Sequence, residues 1–266
     1  MTHWLLQQEP FQENLYKFVE EIKRQGHTCE VIDKNTTVFH TIKTPVISYC
    51  SLELASRIRK LDYYPGVWCD LNKMKCTSYY PYYGKFLLNS PYTFIPFGEI
   101  DRLRTYLFNA FFDIYSNDDI FIRPDSGAKP YSGGLLGLRE SLTHFLGGKT
   151  IFPEELCVVS RRLKIRQEWR LVVCGNEIIT GSQYHKNGLL DTESGAPDEV
   201  LEFGNSVIEN WKPERCFTLD VGKTEEGNIG LVEINSFSCS GLYECDISKV
   251  VEFASLEAER EYDDFT

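Results

Sequence analysis

Two short segments near the carboxyl end, Leu219-Asp220-Val221 and Leu231-Val232-Glu233-Ile234-Asn235, alternate apolar and polar residues. This alternation predicts two strands, and the polar segment 222–228 between them predicts a hairpin. Side chains two residues apart share one face of a strand, so Glu233 and Asn235 point the same way. If the register allows, Asp220 joins them. Two carboxylates and an amide oxygen suit Mg²⁺, which is bound by few protein groups together with waters and phosphates; the alternative is a solvated sheet face.

The composition is that of an ordinary globular protein. The chain has 266 residues, of which 42% are apolar and 25% charged, enough for one large domain or two smaller ones. A net charge of −11 disfavours a general nucleic-acid binder, because binding phosphates requires a basic surface. No apolar run is long enough to predict a membrane span, and the first residues do not resemble a signal peptide. We therefore expect a cytoplasmic protein without nucleic-acid or membrane partners.

The cysteines and histidines do not form a recognisable metal motif. Nine cysteines are dispersed without a C-x-x-C pair, and the five histidines are isolated from them. An odd number of scattered thiols fits reduced cysteines in a cytosolic protein. An anionic ligand would therefore need a local group of lysines and arginines, or a hard metal ion.

The first part of the chain predicts alternating strands and helices. Strands are expected over 3–7, 28–32 and 46–49. A helix between the first two can begin at Pro10, and its apolar face consists of Phe11, Leu15, Phe18 and Ile22. Strand, helix and strand in this order predict a βαβ unit with parallel pairing. Ser51 can cap a second helix; residues 62–97 are expected to form short strands and loops, and 99–115 a helix.

The second half carries polar and basic side chains at the ends of predicted strands. A strand over 119–123 ends at Arg123, and the following loop, 125–134, is rich in glycine and serine and contains Lys129. Such a loop can lay backbone N–H groups over phosphates with the lysine as a point charge, although an ordinary surface loop has the same composition. Glu168 and Arg170 lie on one face of a strand in a predicted hairpin.

In combination, these features resemble the ATP-grasp superfamily, specifically the clade named for one arginine and two lysines. The features that carry the resemblance are Arg123, the loop with Lys129, Val158-Val159, Glu168-Trp169-Arg170 and Asp220 followed by Glu233-Ile234-Asn235. The resemblance covers about 119–247 and, more weakly, the N-terminal region. It implies an α+β protein with the ATP-grasp fold, in which two α+β subdomains flank an ATP cleft, preceded by a small α/β domain. We expect these domains at 1–100 and 101–266.

The resemblance also implies roles for individual residues. Two arginines are expected to be catalytic, Arg170 near the transferred phosphoryl group and Arg123 near the phosphates. The nucleotide is expected to contact Lys129, Glu168 and the backbone around Val158, Val159 and Ser160. The expected ligands of Mg²⁺ are Asp220, Glu233 and Asn235. A further lysine should contact ATP, and the sequence leaves Lys73 and Lys85 as alternatives.

These parts imply an ATP-dependent carboxylate–amine ligase with ATP and Mg²⁺ as cofactors. A substrate carboxylate would become an acylphosphate, and an amine would then displace phosphate to form an amide. Loop 125–134 would act as a lid that keeps water from the acylphosphate. A phosphotransferase that stops after phosphorylation and a non-enzymatic nucleotide-binding protein are the alternatives. The sequence leaves open which small-molecule or peptide carboxylates and amines are the substrates, and the oligomeric state.

Overall fold

The computed structural model describes residues 1–9, 12–36, 42–111 and 119–265. The N-terminal sheet has the strand order β2-β1-β3-β4. Its elements are β1 (His3–Gln7), α1 (Gln12–Arg24), β2 (Thr28–Ile32), β3 (Val46–Tyr49), α2 (Leu52–Ile58) and β4 (Pro65–Gly66). β1 pairs in parallel with both β2 and β3, which confirms the predicted βαβ unit.

The two helices of this unit follow the sequence pattern. In α1, Phe18 and Ile22 are buried as the apolar spacing predicts. The expected start at Pro10 and the apolar residue Phe11 lie outside the described residues. α2 begins directly after Ser51, whose side-chain oxygen accepts a hydrogen bond from a backbone N–H of the first turn.

The prediction of strands and loops over 62–97 was wrong at one place, where α3 (Cys76–Tyr83) forms. Pro81 within this segment and the absence of a local capping side chain hide the helix from sequence reasoning. The cap comes from a distant residue, because Asp125 accepts hydrogen bonds from the backbone N–H and hydroxyl of Thr77 at 2.7 and 2.9 Å. Tertiary contacts thus stabilise a helix that the local sequence does not signal.

A second sheet, β5-β8-β6-β7, is antiparallel throughout. Its elements are β5 (Tyr92–Pro96), α4 (Ile100–Phe111), β6 (Asp119–Pro124), β7 (Gly134–Gly137), α5 (Leu142–Phe145) and β8 (Leu156–Arg161). α4 accounts for most of the helix expected over 99–115, and residues 112–115 lie outside the described part. β5 lies within 1–100, the range expected for the first domain, yet it pairs with β8.

The third sheet, β11-β10-β9-β12-β13, carries the hairpin quoted first. Its elements are β9 (Ile165–Cys174), β10 (Glu177–Lys186), β11 (Leu189–Ser194), α6 (Asp198–Ile208), β12 (Cys216–Thr224), β13 (Ile229–Ser236) and α7 (Ile247–Phe265). The strands are antiparallel, and both predicted hairpins, β9-β10 and β12-β13, form. β11 is an exposed edge strand that the sequence did not predict.

One hydrophobic core joins the N-terminal sheet to the third sheet. Trp4 and Ile47 belong to the same buried cluster as Val172, Phe237 and residues of α7. Segment 236–243, which begins at the last residue of β13, runs through this junction. Within the described ranges, every helix is too short or too polar to cross a bilayer.

Candidate active site

The register of the third sheet aligns three charged side chains across neighbouring strands. Asp220 in β12 lies opposite Glu233 in β13 and opposite Arg170 in β9. Asn235 lies two residues along from Glu233, and its Nδ2 donates to Asp220 Oδ2 at 3.2 Å and to Glu233 Oε1 at 3.0 Å. The register therefore brings together the two carboxylates and the amide that the sequence could place on one face only conditionally. Their binding of Mg²⁺ stays a prediction.

Arg170 holds Asp220 in a bidentate ion pair. Its Nε and Nη2 donate to the two carboxylate oxygens at 2.8 and 2.7 Å, and Asp220 is fully buried. Burial alone would lower the pKa of Arg170, but the carboxylate of Asp220 outweighs burial and raises it. Nη1 donates to the carbonyl oxygen of Gly241 at 2.8 Å. Arg170 is thus charged and fixed in position by β12 and by the segment after β13.

Glu233 receives two cations from the second sheet and its loop. Arg123 Nη2 lies 2.7 Å from one carboxylate oxygen, and Lys129 Nζ lies 2.6 Å from the other. Burial would raise the pKa of Glu233, but these two cations outweigh burial and hold it well below its usual range. Arg123 also donates to the carbonyl oxygen of Val232 at 3.0 Å. The two sheets therefore meet through an ionised Glu233.

Glu168 is surrounded by aromatic groups that the sequence did not single out. The hydroxyl of Tyr184 donates to its carboxylate at 2.6 Å, and His185 Nδ1 lies 3.4 Å from the other oxygen. Burial raises the pKa of Glu168. The ring of Tyr184 stacks on Tyr243 at 4.9 Å, and the guanidinium of Arg170 lies within 5.6 Å of both ring centroids. The pairing of β9 with β10 has a register shift at Tyr184, and no sequence pattern reveals such a shift.

Two cavities meet at Arg123. One, of about 100 Å³, is mostly apolar and is lined by Leu88, Phe121, Leu135, Leu163, Ile165, Leu231 and Val232 together with Asn89, Ser160 and Arg161. The other, of about 160 Å³, lies beside Asn235 and Arg170. Arg123 lines both. A larger cavity of about 580 Å³, between the β9-β10 turn and α7, contains none of the charged residues described above.

The residues predicted to meet adenine divide into two groups. Val158 and Val159 are fully buried in two different hydrophobic cores, whereas Ser160 lines the smaller cavity. The smaller cavity is also lined by Arg161, the last residue of β8, and by Leu163, two residues further on. They follow directly after the apolar run that drew attention to 158–160, so extending the prediction by three residues would have included them. Contact with a nucleotide stays a prediction for all of them.

The further lysine remains open between Lys73 and Lys85. Both are exposed, and neither lines the two cavities that meet at Arg123. The Nζ of Lys85 lies 4.7 Å from the ring centroid of Phe86.

The donor set agrees with a hard cation that keeps non-protein ligands. In the part of the chain that the structure describes, no three histidine, cysteine or carboxylate side chains are grouped to hold a metal. The cluster offers the two carboxylates and the amide, which suits Mg²⁺ completed by water and phosphate oxygens. The side chain of Lys129 is 41% exposed, so it can leave Glu233 and free an oxygen for the ion.

Solved structures with the ATP-grasp fold superpose on almost the whole chain. D-cycloserine synthetase DcsG matches with a TM-score of 0.68 over 98% of this chain and 99% of that chain, at 12% sequence identity. D-alanyl-alanine synthetase A from Vibrio cholerae matches with 0.62 over 99% and 98%, at 12% identity. ATP-grasp ligase PsnB, complexed with a minimal precursor, matches with 0.56 over 97% and 99%, at 12% identity. The protein therefore has the ATP-grasp fold, which confirms the fold class expected from the sequence.

The sequence itself identifies the family. Residues 104–253, more than half of the chain, match the model of the ATP-grasp domain family 2 of the clade named for one arginine and two lysines. The chain belongs to this family, and the resemblance inferred from its motifs is confirmed. No curated protein sequence matches the chain.

Proposed function

We propose that the protein is an ATP-dependent carboxylate–amine ligase that forms an amide through an acylphosphate. The observation that carries this proposal is the position of Arg123, which pairs with Glu233, at the junction of two cavities. The smaller, apolar cavity suits a nucleobase. The second cavity at Arg123, of about 160 Å³, is bordered by Arg170 and Lys129 and suits an anionic acceptor. ATP with its base in the first would direct its phosphates past Arg123 toward the second.

The cofactors of this reaction would be ATP and Mg²⁺. Asp220, Glu233 and Asn235 would hold the ion, which offsets phosphate charge when bound. Arg123 already neutralises Glu233, and Lys129 would move from Glu233 to the phosphates. Arg170, fixed by Asp220 and Gly241, would present its remaining N–H groups to the transferring phosphoryl group.

The proposed chemistry needs no protein nucleophile. A carboxylate oxygen of the acid attacks the γ-phosphorus, the bond from that phosphorus to the bridging oxygen breaks, and ADP leaves. The amine nitrogen then attacks the carbonyl carbon of the acylphosphate. The bond from that carbon to the phosphate oxygen breaks, phosphate leaves, and the nitrogen loses a proton to give the amide. Burial of the site limits competing attack by water on the acylphosphate.

Proteins with the same fold provide support for the cofactors and substrate classes. One structure of the ATP-grasp ligase PsnB contains Mg and ADP together with a precursor variant. The macrocyclase MdnC was solved with a precursor peptide, and DcsG is a D-cycloserine synthetase. We therefore propose small-molecule or peptide carboxylates and amines as the substrates.

The test is ADP release from MgATP across a panel of acids, first with hydroxylamine, which converts acylphosphates to hydroxamates, and then with amines. We expect ADP and hydroxamate to form only when a suitable acid is present, and an amide, found by mass spectrometry, when an amine replaces hydroxylamine. Asp220→Asn should lose this activity, whereas Lys149→Ala, an exposed lysine outside the site, should keep it. Acid-dependent ADP release and hydroxamate formation without an amide from any amine would favour a phosphotransferase. MgATP binding without ADP release would favour a nucleotide-binding protein.

A further inference from the structure

The cavity of about 160 Å³ at Arg123, which we call the acceptor cavity, is lined by two distant parts of the chain. Its polar and charged lining consists of Lys129, Arg170 and Asn235, with the segment after β13. Its apolar lining comes from the N-terminal region, which contributes Leu52, Leu71 and Met74. We call these two groups of lining residues the charged end and the apolar end of the cavity.

The charged end retains free hydrogen-bonding capacity. The guanidinium of Arg170 has five N–H groups and uses one from each nitrogen, two of them toward Asp220 and one toward Gly241. Lys129 has three N–H groups, and its contact with Glu233 uses one. A carboxylate at this end could accept hydrogen bonds from both side chains without breaking the Arg170–Asp220 pair.

The apolar end is closely packed. Met74 is buried, and Leu71 lies at the edge of the core of the N-terminal sheet. A methyl group placed on Gly127 would lie 2.7 Å from Met74 Cβ and 2.9 Å from the carbonyl oxygen of Leu71, so the loop and this wall already touch. The wall is therefore closely packed against the loop that carries Gly127.

The size of the cavity limits what can enter. Its volume is about 160 Å³, and an engineered protein cavity of about 150 Å³ holds one benzene, which has about six non-hydrogen atoms. Resting on the proposed ligase function, we propose that the acid substrate is a small aliphatic carboxylic acid, amino acids of that size included. Its carboxylate faces Arg170, next to the phosphoryl group that Arg170 and Lys129 would contact, and its short side chain lies on Leu52, Leu71 and Met74. These three residues then determine specificity for the acid, and of the substrate classes proposed above they select small-molecule carboxylates over peptide and aromatic ones.

The test compares acids of increasing size in the wild type and in two variants of one wall residue. Acid binding is measured by calorimetry with Mg²⁺ and a non-hydrolysable ATP analogue, and turnover by acid-dependent ADP release with hydroxylamine. In the wild type, acids with one to three side-chain carbons should give the highest kcat/KM. Leu71→Ala should lower kcat/KM for them about tenfold or more, the range for methylene-scale changes in an apolar pocket, mainly through KM. Leu71→Ala should also allow larger acids to react, whereas Leu71→Phe should restrict turnover to the smallest acids.

Leu189→Ala, which removes an exposed leucine from β11, is the matched control and should change neither binding nor size preference. If the Leu71 variants fail to fold, Leu52→Ala provides the same enlargement from a partly buried position. Preference of the wild type for aromatic acids or peptides, or a size preference unchanged in the wall variants, would overturn the specificity proposal and leave the ligase intact. Binding of small acids without ADP release would overturn the ligase and leave the pocket assignment intact. Absence of both binding and ADP release would overturn both.

Discussion

At the residue scale, Glu233 is the side chain on which most of the site's charge converges. It is ionised, largely buried and contacted by Arg123 from the second sheet and by Lys129 from the loop after β6. A buried carboxylate with two cationic partners contributes to the fold as well as to a metal site. The sequence alone suggests that Glu233→Gln would leave the apo protein undisturbed, because the two side chains have nearly the same shape. The ion pairs lead to a different expectation.

Glu233→Gln should lower both Mg²⁺-dependent ADP release and the stability of the nucleotide-free protein. Removing one partner of a buried pair leaves the other charge uncompensated, which costs about 3–5 kcal/mol. Arg123 keeps its hydrogen bond to the carbonyl oxygen of Val232, so the loss of unfolding free energy should lie near the lower end of this range. Denaturant unfolding and ADP release measure the two effects. Glu225→Gln, an exposed residue of the β12-β13 turn, is the control, and near-normal turnover in Glu233→Gln would contradict the metal-site assignment.

Lys129→Ala should weaken ATP binding while changing the stability of the free protein little. The Lys129–Glu233 pair is partly exposed, and exposed pairs contribute about 0–1 kcal/mol to folding. A hydrogen bond to a charged phosphate is worth about 1.5–3 kcal/mol, so the Kd for ATP should rise about tenfold or more. Calorimetric titration with ATP tests this, with Lys149→Ala as the control. An unaltered Kd would show that loop 125–134 does not contact the phosphates.

Glu214 makes the free energy of unfolding depend on pH at a position outside the proposed active site. One of its oxygens accepts a hydrogen bond from the backbone N–H of Asp70, while the other is buried without a partner among the described residues. Burial raises the pKa of Glu214 from 4.5 to about 8. The folded state therefore holds this proton more tightly than the unfolded chain. The stabilisation is complete below the unfolded pKa and is lost as the pH rises through the folded pKa.

Glu214→Gln should remove the loss of folding stability that ionisation of Glu214 causes at high pH. The amide can still accept from Asp70, and it carries no charge to bury. We expect the Tm difference between Glu214→Gln and wild type to increase in favour of the variant from pH 5 to pH 8.5. Glu209→Gln, at an exposed position nearby in sequence, should show no such trend. A pH-independent difference would mean that Glu214 is ionised in the folded protein throughout this range.

At the element scale, loop 125–134 is anchored at its base. Asp125 caps α3 through Thr77, and Gly127 packs against Leu71 and Met74. A composition rich in glycine and serine predicts a flexible lid, but the contacts restrict any closing motion to the residues after Gly127. The φ angle of Gly127 is not left-handed, so its backbone conformation does not require a glycine. A glycine is required there because Met74 and Leu71 leave no room for a Cβ atom.

Gly127→Ala should therefore destabilise the protein by about 1–3 kcal/mol, as overpacking does in a tight contact. It should also raise the KM for the acid, because the displaced wall belongs to the acceptor cavity. Gly84→Ala is the control, since a methyl group there meets nothing within 4 Å and the backbone is helical. Thermal unfolding of the two variants measures the difference. Equal stability of Gly127→Ala and wild type would show that this part of the loop moves freely.

The elements also show what the sequence could and could not predict. Strands β1, β2, β3 and both later hairpins were predicted because apolar alternation and glycine-containing turns are local signals. α3 was missed because its cap and its burial come from residues far along the chain. The same distinction applies at the site. The two-residue period placed Glu233 with Asn235, whereas the contact of Arg123 with Glu233 depends on how two sheets meet.

At the scale of the whole molecule, the N-terminal region and the ATP-grasp region share their cores. Trp4 and Ile47 pack in one cluster with Val172 and Phe237, and β5 completes a sheet through β8. Segment 236–243 is held from the N-terminal side, since the backbone of Cys50 and Trp68 bonds to Ser238 at 2.8 and 3.0 Å. The acceptor cavity therefore has its shape only while both regions are assembled.

A chain that comprises residues 101–266 alone should consequently fail to fold cooperatively, although the sequence predicts a domain boundary at 100. Removing 1–100 exposes the apolar side of Val172, Phe237 and α7 and leaves β8 without β5. We expect no sharp thermal transition and strong binding of a hydrophobic dye, whereas the full chain should unfold in one transition. Adding a separate 1–100 chain should restore the transition, since the two pieces carry complementary faces of one core. A sharp, ATP-dependent transition in 101–266 by itself would show that the shared core is dispensable and that 101–266 is an autonomous domain.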